Sequence, residues 1–182
     1  MERPQVKFTY EGYRNLPDSE TNRYELLEGE LVMVPSPTTY HQGILRDLGY
    51  ILSEFVRKHE LGLVFFAPLD VVLSEESVLQ PDILFISKGR SRIVAEENIQ
   101  GSPDLVVEIL SPATAERDRT YKRALYARHG VLEYWIVDPK EKSVEVLALG
   151  ERGFETAGIY EETETMISRV LDVLAIKLSE VF

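Results

Sequence analysis

Pro103-Asp104-Leu105-Val106-Val107-Glu108-Ile109-Leu110-Ser111-Pro112 is the stretch on which the fold turns. Between the two prolines lies a run dense in Val, Ile and Leu, the composition of a central strand buried on both faces. Side chains alternate across a strand, so Leu105, Val107 and Ile109 share one face and Val106, Glu108 and Leu110 the other. Glu108 therefore sits mid-strand in an apolar row. A carboxylate kept charged there costs at least several kcal/mol unless a base, a proton or a metal ion compensates.

The preceding β-rich run, Pro81–Ser87, is of the same kind and opens with Pro81-Asp82. If the two strands are neighbours, Asp82 and Glu108 converge on one point. Two carboxylates at close range repel unless a cation lies between them. Oxygen ligands without a nearby cysteine or histidine favour Mg²⁺, Mn²⁺ or Ca²⁺ over zinc. Lys122 stands fourteen residues beyond Glu108, on a helix expected from about Ala115 to His129 and closed by Gly130. From there its stem can reach back toward Glu108, to position or deprotonate a metal-bound water or to offset charge on a phosphate. Its plainer roles are a solvated helix lysine or a partner of Asp118 four residues earlier.

Working outward, Tyr24–Leu27 and Leu31–Val34 flank Glu28-Gly29-Glu30 and read as a hairpin, with Gly29 supplying a positive φ. A helix is expected over Tyr40–His59, its apolar face formed by Ile44, Leu45, Leu48, Ile51, Leu52, Phe55 and Val56. Leu63–Leu73 is a β-rich segment. Tyr134–Val137 and Ser143–Leu149 are further strands, expected to be antiparallel to each other. The tail from Glu151 holds seven acids and three bases and ends in an amphipathic stretch, Leu171–Phe182, with no clear assignment. The predicted fold is α/β: a mixed β-sheet flanked by helices, with a core order α-β-β-β-α-β after an N-terminal hairpin. No repeat or linker divides the chain, so residues 1–182 are expected to form a single domain.

Composition narrows the function. The chain has 182 residues, 44% of them apolar and 28% charged, with a net charge of −11. Such a chain does not coat nucleic acid or anionic membrane non-specifically, although a local basic groove remains open to it. It has no cysteine, which removes thiolate catalysis, thiolate zinc sites and disulfides. No secretory h-region and no membrane-length apolar run is present, so a cytoplasmic protein without membrane association is expected. There is no Walker loop, no nucleophile elbow, no dinucleotide fingerprint and no HExxH spacing among His41, His59 and His129.

Several blocks together resemble a known family: Tyr24-Glu25-Leu26 with Gly29-Glu30-Leu31-Val32, His41, Gln80-Pro81-Asp82, Pro103–Pro112, Arg117-Asp118 with Lys122, Gly130–Trp135 and Asp138-Pro139. The chain is similar to the Uma-type restriction endonuclease family, a branch of the PD-(D/E)XK nuclease-like superfamily, over roughly residues 8 to 182. The resemblance implies a restriction endonuclease-like fold, Mg²⁺ or Mn²⁺ held by Asp82 and Glu108, and hydrolysis of phosphodiester bonds in DNA. The superfamily's usual lysine position, two residues after the glutamate, holds Leu110 here. The resemblance suggests that Lys122 takes its place. It also leaves Glu25, His41, Gln80 and Asp118 as candidates for supporting or substrate-contacting roles. A nuclease of this size is expected to pair as a homodimer to cut both strands. Basic residues for phosphate contact are expected from Arg117, Arg119, Lys122, Arg123 and Arg128, and from Lys88, Arg90 and Arg92. A catalytically inactive module of the same fold, binding DNA or protein, stays open because of Leu110. So does a metal-free two-carboxylate hydrolase such as a glycosidase.

Overall fold

The computed structural model describes residues 7–16 and 23–182. A short helix α1 (Tyr10–Arg14) precedes the hairpin of β1 (Arg23–Leu27) and β2 (Glu30–Val34). Its turn places both Glu28 and Gly29 at positive φ, 49° and 90°, the geometry whose twist matches the flanking strands. Helix α2 (Thr39–Lys58) is capped by the Thr38 side chain, which accepts from His41 N, and it buries Ile44, Leu48, Leu52 and Val56. These are four positions of the expected apolar face.

The expected single segment Leu63–Leu73 is two strands in two sheets: β3 (Gly62–Phe66) and β4 (Val71–Ser74). Pro68 and Asp70 lie between them, and proline cannot donate to a ladder. Then come β5 (Ser77–Leu79), β6 (Ile83–Ser87), a 3₁₀ turn over Lys88–Ile93, β7 (Ile99–Gln100) and β8 (Leu105–Ile109). The second expected helix is broken. Its pieces are α3 (Ala115–Arg117), a π-helical turn over Asp118–Lys122, and α4 (Arg123–Arg128). Strands β9 (Glu133–Asp138), β10 (Ser143–Gly150) and β11 (Gly153–Glu161) form a meander, antiparallel as expected for β9 and β10. The chain closes with the ribbon of β12 (Thr165–Ile167) and β13 (Ala175–Lys177) and a last 3₁₀ turn.

The main sheet has six strands in the order β11-β10-β9-β8-β6-β3, and only the β8–β9 pair in it is parallel. One face, with Phe85, Val107, Ile109 and Trp135, packs against α2 and the C-terminal segment. There Leu171, Leu174, Ile176, Leu178 and Val181 are buried, which explains the amphipathic tail. The buried Glu133 carboxylate pins that segment by accepting from the amides of Arg169 and Val170 and from the Trp135 indole. The other face, with Val106, Leu110, Tyr134 and Ile136, packs against α4. It also meets a second sheet, β2-β1-β5-β4-β7, through Leu27, Leu79, Val71 and Ile99. Among the described residues, no helix is long and apolar enough to cross a membrane.

Candidate active site

Strands β6 and β8 are antiparallel neighbours, with Ile83 opposite Val107. One step further along this register brings Asp82 beside Glu108. The Asp82 carboxylate is fixed at the strand ends. Its Oδ2 accepts from the amide of Ile109 at 2.7 Å and lies 3.2 Å from His41 Nε2 at the head of α2. Glu108 is buried, on the face that carries Val106 and Leu110, as the alternation requires.

Lys122 belongs to this site. Its Nζ donates to Glu108 Oε1 and to Glu25 Oε1, each at 2.9 Å, and lies 3.7 Å from Asp118 Oδ1. The expected partner Asp118 is therefore the most distant of three carboxylates around it. The reading of Lys122 as a solvated helix residue fails, since it is buried together with Asp118. The π-helical turn that carries them is a widened turn of a kind frequent at functional sites. Tyr126, one turn further on, donates to Glu108 Oε1 at 2.7 Å. Its spacing of four residues from Lys122 is the sequence signal that links them.

Glu25 is buried on β1. Its Oε1 also accepts from the Gln80 amide at 2.9 Å, so the second sheet is tied to the site. The Gln80 side chain turns the other way, donating to Asp70 Oδ1 at 2.8 Å and Tyr13 OH at 3.4 Å. Gln80 thus supports Glu25 through its backbone. Asp70 and Tyr13 carried no sequence signal for this contact.

Burial raises the Glu108 carboxyl well above the usual carboxylate range; Lys122 opposes the rise, and Asp118, Asp82 and Glu25 add to it. Burial raises Asp118 too. For Lys122 burial acts downward, but Glu108, Glu25 and Asp118 outweigh it, and the ammonium holds its proton more tightly than usual. Burial likewise pulls His41 down, and the hydrogen bond and charge of Asp82 more than reverse this.

These residues line a cavity of about 80 Å³ together with Arg23, Ser111, Thr114 and Arg117. At about 10–15 Å³ of centre-accessible space per water, it has room for a hydrated cation. Among the described residues six buried side-chain polar atoms lack a hydrogen-bond partner. Five of them belong to cavity residues: Glu25 Oε2, His41 Nδ1, Gln80 Oε1, Arg117 Nε and Asp118 Oδ1. Unsatisfied polar atoms concentrated at one place are the mark of a site built for water, an ion or a substrate. Among the described residues no group of three or more His, Cys, Asp or Glu side chains is arranged to hold a metal ion. Asp82 and Glu108 offer two carboxylates. Mg²⁺ is commonly held by one or two carboxylates and otherwise keeps its waters or takes substrate phosphate oxygens. The donor set fits that ion.

The expected basic rim is smaller than its sequence count. Lys88, Arg90 and Arg92 follow the far end of β6, with Lys88 roughly 20 Å from Asp82 at the rise of a strand, and Arg90 pairs with Asp104 there. Arg119 binds Asp138 and Glu145, Arg123 the carbonyl of Phe154, and Arg128 binds Glu28. Arg117 and Arg23 remain at the cavity.

Comparison with known proteins follows the same line. The Uma2 family, described as “Putative restriction endonuclease”, matches residues 10–179. The chain is also similar to a solved structure from Anabaena variabilis ATCC 29413, described as “a putative nuclease belonging to DUF820”. The TM-score is 0.80 at 22% identity, over 96% of this chain and 97% of that one. This likeness establishes the shared nuclease-like fold. No curated protein matches the chain.

Proposed function

The chain belongs to the Uma2 family, and on that premise we propose that it is a divalent-cation-dependent endonuclease hydrolysing phosphodiester bonds in DNA. One observation carries the reading. Asp82 and Glu108, on adjacent strands, line a single cavity beside the buried ammonium of Lys122. Each carboxylate has one oxygen held by protein donors, Ile109 N for Asp82 and Lys122 with Tyr126 for Glu108. Both residues line the cavity. Mg²⁺ or Mn²⁺ bound there would act as a Lewis acid, lowering the pKa of water and offsetting charge on the phosphoryl oxygens.

The chain's own residues do the rest. Ile109 N and His41 orient Asp82. Tyr126 and Lys122 orient Glu108, and Lys122 ties Glu25 to Glu108 by donating to a carboxylate oxygen of each. Lys122 also adds a fixed positive charge beside the scissile phosphate. Gln80 holds Glu25, and Asp118 faces the lysine from the π-helical turn. The catalytic unit in this reading is the whole chain as one domain, because the cavity walls run from Arg23 to Lys122 and the C-terminal segment covers the opposite face of the same sheet.

Cutting both strands of a duplex needs two such sites, and the open edge of β3 supports pairing with a second copy. Leu61 O and Ala67 N bond to β6 and its flanks. By alternation Leu63 and Phe65 do the same, and the backbone groups of Gly62, Val64 and Phe66 point outward. The strand Gly62-Leu63-Val64-Phe65-Phe66 is uncharged, and antiparallel pairing about Val64 sets Gly62 against the bulky Phe66 of the other copy.

The nuclease reading is tested with plasmid and single-stranded DNA in Mg²⁺ or Mn²⁺. Wild-type protein is expected to cleave, and Asp82→Ala and Glu108→Ala to be inactive. Cleavage surviving Glu108→Ala removes that residue from the mechanism. Retention of DNA without cleavage or cation binding by the wild type would instead favour a non-catalytic module.

A further inference from the structure

We propose that Arg117 and Arg23, in the lining of this cavity, form a clamp for a backbone phosphate of the nucleic-acid strand. The inference rests on the nuclease reading and names the residues that receive its substrate. Both arginines line the cavity, one from the end of α3 and the other from the first residue of β1. Among the described residues, neither has an ion-pair or side-chain hydrogen-bond partner, although Glu25, Asp82, Glu108 and Asp118 line the same space. The other cations of this helical region are engaged: Lys122 by carboxylates, Arg119 by Asp138, Arg123 by a carbonyl, Arg128 by Glu28. Arg117 Nε is moreover sealed from solvent without an acceptor. A guanidinium held unpaired in a carboxylate-lined pocket presents its charge to an anion that has yet to enter. Its planar fork of N–H donors matches the oxygens of a phosphate.

Charge leads to the same assignment. With Lys122 alone against four carboxylates the lining would carry −3, a barrier to any polyanion. By formal charge, with every carboxylate counted as ionised and His41 left out, Arg23 and Arg117 bring it to −1, and one divalent cation makes it +1. The two arginines thus decide whether a cation suffices to admit the strand.

The test is binding of a labelled DNA duplex by fluorescence anisotropy, in Ca²⁺, across a KCl series. Arg117→Gln and Arg23→Gln are each expected to weaken binding about ten-fold. Each should also make the slope of log K against log salt shallower by about 0.9, the value for one lost phosphate contact. Arg117→Lys should keep the slope and recover only part of the affinity. Ca²⁺ affinity by calorimetry should not fall below that of the wild type in any of the three. Wild-type affinity and slope in both glutamine variants overturn the clamp and leave the nuclease reading standing. A parallel loss of Ca²⁺ affinity also overturns it, because the arginines would then shape the cation site itself. A wild-type protein that binds no nucleic acid overturns both readings. Should Arg117→Gln lose its circular dichroism signature, Arg117→Lys and Arg23→Gln still decide the matter.

Discussion

Replacing Lys122 with alanine should destabilise the protein by an amount that depends on pH in a defined way. The ammonium lies 2.9 Å from Glu25 Oε1 and from Glu108 Oε1. At an effective dielectric of about 20, each contact is worth roughly 6 kcal/mol before desolvation is subtracted. Removing the lysine leaves buried carboxylates without their cation, and the cheapest relief is for one of them to take a proton. With an unfolded carboxylate near pKa 4.3, holding one protonated at pH 7 costs about 4 kcal/mol. Loss of one partner of a buried pair generally costs about 3–5 kcal/mol, in agreement. For a chain of this size that is a fall in Tm of roughly 8–16 °C. The sign follows from linkage. In the variant the carboxyl's folded pKa is raised above its unfolded value, so the penalty is small near the unfolded pKa and grows as pH rises. At pH 5 it should shrink to about 1 kcal/mol. Thermal melts followed by circular dichroism between pH 5 and pH 8 read this directly. A fall in Tm that is the same at both ends of the range, or below about 2 °C at pH 7, would refute the buried-cluster reasoning.

Further outcomes follow from the same geometry. Burial raises the Glu108 carboxyl, so protons and cations compete for it, and Mn²⁺ binding should tighten as pH rises through that raised value. Calorimetry giving one Kd from about pH 5.5 to 8 would separate Glu108 from the cation. His41 has its pKa raised by Asp82 against the pull of burial. The stability from that pair is therefore present below the unfolded histidine value and fades as pH rises through the folded one. Asp82→Asn and, separately, addition of Mg²⁺ should each lower the His41 pKa in an NMR titration; a pKa indifferent to Mg²⁺ would place the cation away from Asp82. Tyr126→Phe, which removes the donor to Glu108 Oε1, should cost about 1–3 kcal/mol in denaturant unfolding, and an unchanged midpoint would mean that the hydroxyl does not hold the carboxylate. Leu63→Lys, on the exposed edge strand β3, should convert a wild-type dimer to monomer in sedimentation velocity, whereas a dimer surviving the change would put the interface elsewhere.

Local chemistry by itself determined the central strand of Pro103–Pro112, the face on which Glu108 lies, the strand that Asp82 precedes, the hairpin turn at Gly29 and the apolar face of α2. Each depends on alternation, helical period or turn preference, which act over a few residues. Period alone left other features open. Leu63–Leu73 looks like one apolar run, and only packing assigns its halves to different sheets. The helix after Ser111 looks continuous, and the π-helical turn within it answers to the burial of Asp118 and Lys122. The ends of the lysine's contacts lie 14 and 97 residues away. No local pattern encodes a pairing between β1, β8 and a helix, so the burial of Glu25 and the choice of partners for Lys122 had to come from the tertiary structure. The same holds for charge. Composition counts every arginine alike, while the fold neutralises Arg119 and Arg128 on nearby acids and leaves Arg23 and Arg117 at the cavity. Which cations remain free is settled by distances of a few ångströms, which only the assembled sheets define.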